Sequence, residues 1–188
     1  IYLELSSINP LFILPGALAE RGDAIAAELA GSCTMGAGQF CTKPGISVVV
    51  ASPAAEAFVA QLAAQLGKAA PGTLLGPSSA DKIGAGIAVL REHGAQVLTG
   101  GHKLSGPRFS HENTLLRVSG EDFLAQPDAL QTEAFGSVHL VVVAASAGQL
   151  SEIADSLSGN LTGCIYSHTG SSDEQTYALV APRLARAA

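Results

Sequence analysis

The spacing of apolar residues changes period repeatedly along the chain, from short continuous runs to apolar positions three or four apart and back again. The runs at 47–51 (SVVVA) and 138–144 (VHLVVVA) are β-branched and lack an apolar–polar alternation, which predicts strands covered on both faces. Further strands are predicted in the opening segment up to Pro15-Gly16, at 96–98, at 113–118 and at 161–166, the last with Gly163 inside it. Helical spacing predicts a helix over 17–29 that ends at Gly31 and a second one restarting near Ser32 and stopping in the glycines before Cys41. Ser52-Pro53 reads as a cap and first helical residue, with Phe58, Leu62 and Leu66 following on one face. Helices are also predicted over 79–91, 150–157 and 171–186, and polar turns over 71–79 and 99–108. Strands and helices that take turns in this way predict an α/β fold with a mostly parallel sheet and helices on both faces.

Composition narrows the function classes. With 188 residues, 47% of them apolar, the chain can bury a core of one or two domains. A net charge of -6, from 10 Lys+Arg against 16 Asp+Glu, and no basic stripe argue against nucleic acid as a partner. No run approaches the ~20 apolar residues needed to cross a bilayer, so no membrane role is expected. The cysteines Cys33, Cys41 and Cys164 form no CxxC pair, which disfavours a disulfide scaffold or zinc knuckle and predicts reduced thiols in the cytoplasm. Cys33 and Cys164 lie on apolar segments and are expected in the core. The five histidines have no ligand spacing and read as surface or packing residues, with no metal expected.

Three segments offer chemistry: Glu4 in ELSS, Cys41 in GAGQFCTKPG, and Glu133 with Phe135 in TEAFGS. Taken singly, each stays open. Cys41 is either a reactive thiol in a glycine-framed loop or a small buried apolar residue. Glu4 is a base or a strand-edge charge, and Glu133 and Phe135 are a ligand-holding pair or a helix-end carboxylate and a core aromatic.

In combination, ELSS, GQFC and EAFGS resemble, in order and separation, the E-L-G-G, G-Q-x-C and E-x-F-G-P motifs of the aldehyde dehydrogenase superfamily. SSINPLFILPGAL and MGAGQFCTKPG look like the α-ketoglutaric semialdehyde dehydrogenase branch of that family. The resemblance covers the whole chain. It implies an oxidoreductase in which Cys41 attacks an aldehyde to give a thiohemiacetal and then a thioester, and Glu4 activates the water that hydrolyses it. It further implies that Glu133 and Phe135 hold the nicotinamide ribose of NAD or NADP, that Phe40 walls the substrate pocket, and that Thr42 is a neighbour of the reacting centre. Gly36 and Gly38 would let the substrate approach backbone N–H groups that hold an oxyanion. The implied partner is a small aldehyde, and the parent enzyme is a homo-oligomer. A CoA-acylating relative and a catalytically silent interaction module are the alternatives; Glu4 argues against the first.

Ser6 and Ser7 stand where the family has a glycine pair, so either the local backbone approaches the cofactor less closely or the hydroxyls are used instead, and Ser137 replaces a proline, which loosens a turn. No glycine-rich βα turn followed by an acidic residue is found, so residues 1–188 read as the cysteine-bearing catalytic domain, truncated at both ends and without its dinucleotide-binding domain. Little or no dehydrogenase turnover is expected of such a piece alone.

Overall fold

Proline sets the start of four helices, where its fixed φ suits the first turn and its missing N–H costs nothing. These are α1 (Pro15–Thr34), α2 (Pro53–Lys68), α3 (Pro77–Glu92) and the short α5 (Pro127–Leu130). The computed structural model describes residues 6–188. Its other helices are α4 (Gly120–Ala125), α6 (Ala147–Asp155) and α7 (Glu174–Ala187), and its strands are β1 (Leu11–Ile13), β2 (Ile46–Val50), β3 (Gln96–Thr99), β4 (Lys103–Leu104), β5 (Ser110–His111), β6 (Thr114–Ser119), β7 (Val138–Ala144) and β8 (Cys164–Tyr166).

Six strands form one sheet in the order β3-β6-β7-β2-β1-β8. All neighbours are parallel except the β3–β6 pair at one edge. The period-2 alternation of strand side chains separates two cores. Phe12, Val48, Leu116 and Val142 face α3, α6 and α7, where Ile83, Ile87, Leu150, Ile153, Val180 and Leu184 pack. Leu11, Ile13, Val49, Leu115 and Val141 face α1 and α2, where Leu18, Ile25, Leu29, Phe58, Leu62 and Leu66 pack. The three layers expected from the sequence are thus present, and β2 and β7, the two unalternated runs, are the central strands.

The C-terminal rim of the sheet carries helix caps. The hydroxyls of Ser52, Ser119 and Ser146, at the ends of β2, β6 and β7, accept the N–H of Ala55, Asp122 and Gln149 at the starts of α2, α4 and α6. The start of α1 is capped from afar by Asp173, whose buried carboxylate accepts Gly16 N–H at 2.8 Å, Ala17 N–H at 3.0 Å and His168 N–H at 2.8 Å. Such an N-terminal anion also complements the helix dipole.

Several sequence expectations need correction. The first helix does not end at Gly31; it runs on to Thr34, because a glycine within a helix costs only ~1 kcal/mol and Leu29, Ala30 and Cys33 keep burying one face. No second α-helix follows. Residues Met35–Gly38 instead form a tight turn in which Gly36, Ala37 and Gly38 all have positive φ. Residues 6–10 form a loop ahead of a three-residue strand, and β8 begins only at Cys164. Cys164 is exposed on that edge strand, not in the core. The short helices α4 and α5 had no counterpart in the apolar spacing.

Candidate active site

The loops carrying the sequence motifs all enter strands at their N-terminal ends. Residues 6–10 lead into β1, 39–45 into β2 and 131–137 into β7, so the adjacent positions of these three strands bring the loops together.

The turn before Cys41 is shaped by close approach. A Cβ on Gly38 (φ +69°) would lie 2.3 Å from the carbonyl carbon of Gly136, so the GQFC loop and the EAFGS loop meet backbone to backbone. A Cβ on Gly36 (φ +56°) would lie 2.5 Å from the Phe40 ring, which folds back over it. Ala37 adopts the same left-handed conformation (φ 59°) with a side chain, at a cost of about 1–2 kcal/mol. Packing holds it there, since it is buried against Gly72, where an added Cβ would come within 2.7 Å. The space beside these glycines is therefore filled by the protein itself, a different use from the substrate approach expected of them.

After the turn, Cys41 is exposed, and four carbonyls of its loop are tied down. Asn9 Nδ2 donates to Cys41 O at 2.8 Å and to Lys43 O at 3.0 Å. Pro44 O accepts from His139 Nδ1 at 3.0 Å and from the Cys33 thiol at 3.7 Å. Gly45 O accepts Leu140 N–H at 2.9 Å, and Gly45 N–H donates to Ile8 O at 2.7 Å. The result is an accessible thiol on a fixed backbone. Cys33 is buried, and that burial pushes its thiol up to about 11; partial burial also raises the thiol of Cys164 on the edge strand.

His139 is wholly buried between β7 and β2, and burial depresses it to about 3, so it is neutral. A carbonyl can only accept, so Nδ1 carries the proton toward Pro44 O, and Nε2 accepts from Ser47 Oγ at 2.8 Å. The packing role expected of this histidine holds.

Asn9 was not singled out in the sequence, yet it joins the segments 6–10, 39–45 and 160–162. It is buried with a positive φ of 47°, and its Oδ1 accepts from Ser7 Oγ at 2.7 Å and Thr162 Oγ1 at 3.2 Å. Asn160 Oδ1 in turn accepts the N–H groups of Ile8 at 2.8 Å and Asn9 at 3.0 Å. The signal available was the Asn9-Pro10 pair, since asparagine tolerates the left-handed region better than other side-chain-bearing residues. Ser7 uses the hydroxyl that replaces a family glycine: besides Asn9, it accepts Leu161 N–H at 3.0 Å.

Glu133 is half-buried, and its Oε2 accepts Ser7 N–H at 3.3 Å, tying the third loop to the first. Phe135 and Phe40 both expose their rings, by 39% and 49%, where a bound molecule could stack on them. Ser137 is buried with its hydroxyl unpartnered among the described residues. Glu4 lies outside the described residues. Among the described residues, no group of three His, Cys, Asp or Glu could hold a metal ion, and no helix is long and apolar enough to cross a membrane.

The chain is thus an α/β domain whose mostly parallel sheet sets a thiol loop and a Glu-Ala-Phe-Gly loop side by side at its N-terminal rim. The chain belongs to the aldehyde dehydrogenase family, whose model matches residues 1–181. It is 34% identical over 165 residues, 88% of its length, to α-ketoglutaric semialdehyde dehydrogenase 2 of Azospirillum brasilense. It is 32% identical over 167 residues, 87% of its length, to the α-ketoglutaric semialdehyde dehydrogenase of Acinetobacter baylyi. The chain spans 31% of the length of each of these relatives. In fold it resembles the NAD-dependent aldehyde dehydrogenase of Sinorhizobium meliloti, with a TM-score of 0.77 at 20% identity over 94% of this chain and 36% of that one.

Proposed function

We propose that this chain is the cysteine-bearing domain of an NAD(P)-dependent dehydrogenase that oxidises a semialdehyde, α-ketoglutaric semialdehyde by likeness to its relatives, to a carboxylic acid. The observation that carries the reading is the exposed Cys41 thiol on a loop with four tethered carbonyls, laid against the Glu133–Phe135 loop.

The residues do the following work. The Cys41 thiolate forms a bond to the aldehyde carbon, whose carbonyl oxygen takes a proton or is held as an alkoxide, giving a thiohemiacetal. Asn9 and the tethered loop fix Sγ so that little orientational freedom has to be lost at attack. Glu133 and Phe135 fit a nicotinamide ribose, the carboxylate by accepting hydroxyl hydrogen bonds and the exposed ring by stacking. A bound nicotinamide would supply the acceptor for the C–H hydrogen and its electron pair, and with any proton on the oxygen released to solvent the thiohemiacetal would become a thioester. Glu4 takes a proton from water; the resulting hydroxide attacks the thioester carbon, the C–S bond breaks, and acid and free thiol result. Phe40, exposed one residue before Cys41, walls the substrate pocket and favours short, functionalised aldehydes.

The dinucleotide is bound mainly by a domain outside this chain. The absence of a glycine-rich βα fingerprint in the sequence and the threefold greater length of the relatives support this division.

Ester hydrolysis tests the nucleophile without a cofactor. An activated acetate ester should be cleaved by the native chain and not by Cys41→Ser; equal rates for the two would remove Cys41 from the mechanism.

A further inference from the structure

Lys43, two residues beyond Cys41, is 94% buried by side-chain and backbone neighbours, its relative exposure being 6%. Placing an ammonium in such a site is costly unless it is hydrogen-bonded and paired with opposite charge. Val138 O accepts one of its three N–H donors at 2.6 Å. Val138 is the first residue of β7, directly after the loop that bears Glu133 and Phe135.

Lys43 also lines a small pocket of about 20 Å³, together with Glu133, Ser7 and Thr132 and with Leu90, Leu130 and Leu140 among its apolar walls. That volume exceeds the roughly 10–15 Å³ needed for one water, which in addition requires at least two polar partners. Glu133 and Lys43 are not in direct contact; the carboxylate spends Oε2 on Ser7 N–H at 3.3 Å. A single water between them would receive an N–H from Lys43 and donate to Glu133.

We propose that Lys43 is a positioning residue for Glu133: from beneath the Cys41 loop it holds the start of β7 by the Val138 carbonyl and the Glu133 carboxylate through one ordered water in the shared cavity. The thiol loop and the carboxylate loop are thereby set at a fixed separation by one side chain. The importance of this for cofactor binding rests on the reading of Glu133 as the ribose carboxylate; the geometry itself does not.

Burial lowers the Lys43 titration, while the neighbouring Cys33 and Glu133 act in the opposite sense. His139, also in its field, is neutral. Two measurements on the 188-residue chain, neither using turnover, test the assignment. In Glu133→Gln, the titration midpoint of Lys43, followed by the 13C shift of its ε-carbon, should move down from that of the native chain, because the carboxylate that favours the ammonium is gone. In Lys43→Met, hydrogen exchange of the Ser7 amide should speed up roughly tenfold, as a loop held by one fewer net hydrogen bond opens more often, while the Leu62 and Val142 amides keep their rates.

An unchanged Lys43 midpoint in Glu133→Gln would overturn the proposal, and so would unchanged Ser7 exchange in a folded Lys43→Met chain. Should Lys43→Met not fold, the Glu133→Gln titration decides alone, since that substitution is on a half-buried loop. Neither readout depends on Cys41, so an inert thiol would defeat the proposed function and leave this result standing.

Discussion

Asn9 donates a hydrogen bond to the backbone carbonyl of Cys41 across 32 positions of sequence, at 2.8 Å, so the residue that orients the thiol loop comes from the strand-leading segment beside it. The same amide nitrogen reaches Lys43 O at 3.0 Å. Replacing Asn9 by Ala leaves two carbonyls without a donor and puts an alanine in the left-handed region. A loss of ~2–4 kcal/mol of unfolding free energy in urea is expected. Asn9→Asp should not restore it, because a carboxylate presents only acceptors to those carbonyls.

Gly36 and Gly38 look alike in sequence but should respond differently to alanine. At Gly38 the new Cβ would meet the Gly136 backbone at 2.3 Å, which cannot yield without parting the two loops, and ~3 kcal/mol or more should be lost. At Gly36 the obstacle is the Phe40 ring, the far end of an exposed side chain that can swing away, so about 1–2 kcal/mol is expected. Denaturant midpoints of the two variants, measured side by side, check the order.

Acid stability should report on His139. Its folded pKa of about 3 lies below the ordinary value of 6.5, so between these pH values the unfolded chain binds a proton that the folded chain refuses. Stability is therefore retained above about pH 6.5 and falls as pH drops toward 3, with a slope of up to ~1.4 kcal/mol per pH unit from this group. In His139→Gln that part of the slope should vanish, even if the plateau is lower; an unaltered slope would show that other groups carry it.

The three thiols should separate by reactivity. With iodoacetamide at pH 8, Cys41 and Cys164, both exposed, should be alkylated in the folded chain. Cys33, pushed up to about 11 and fully buried, should remain unmodified until urea is added. Peptide mass spectrometry over a time course reads all three.

Legibility in the sequence followed the range of the interaction responsible. β2 and β7 were recognisable because burial on both faces leaves an unbroken β-branched run, and α2 because Ser52, Pro53 and the Phe58–Leu62–Leu66 face agree. α4 and α5 escaped because helices this short show no apolar period; the Ser119 cap and the burial of Phe123 and Leu130 make them. Gly31 misled because one glycine is weaker than a continuing apolar face. Cys41, Glu133 and Phe135 stood out through local motifs. Asn9, Lys43 and Asn160 did not, since their meaning lies in bonds to segments 32, 95 and 152 positions away.

The sheet thus has one rim that carries thiol, carboxylate and aromatic rings and another that carries Ser52, Ser119, Ser146 and Asp173 as helix caps. Ligands of open α/β sheets usually sit at the C-terminal rim, where helix starts also lie, so that caps and binding groups compete for the same positions. Here the motif loops and the caps lie at opposite ends of β1, β2 and β7. Substitutions that retune the chemistry can accumulate in the strand-leading loops without touching a cap, and the capping end can be strengthened, or cut and rejoined as new termini, without disturbing the pocket: evolution and engineering have two nearly independent dials on one sheet.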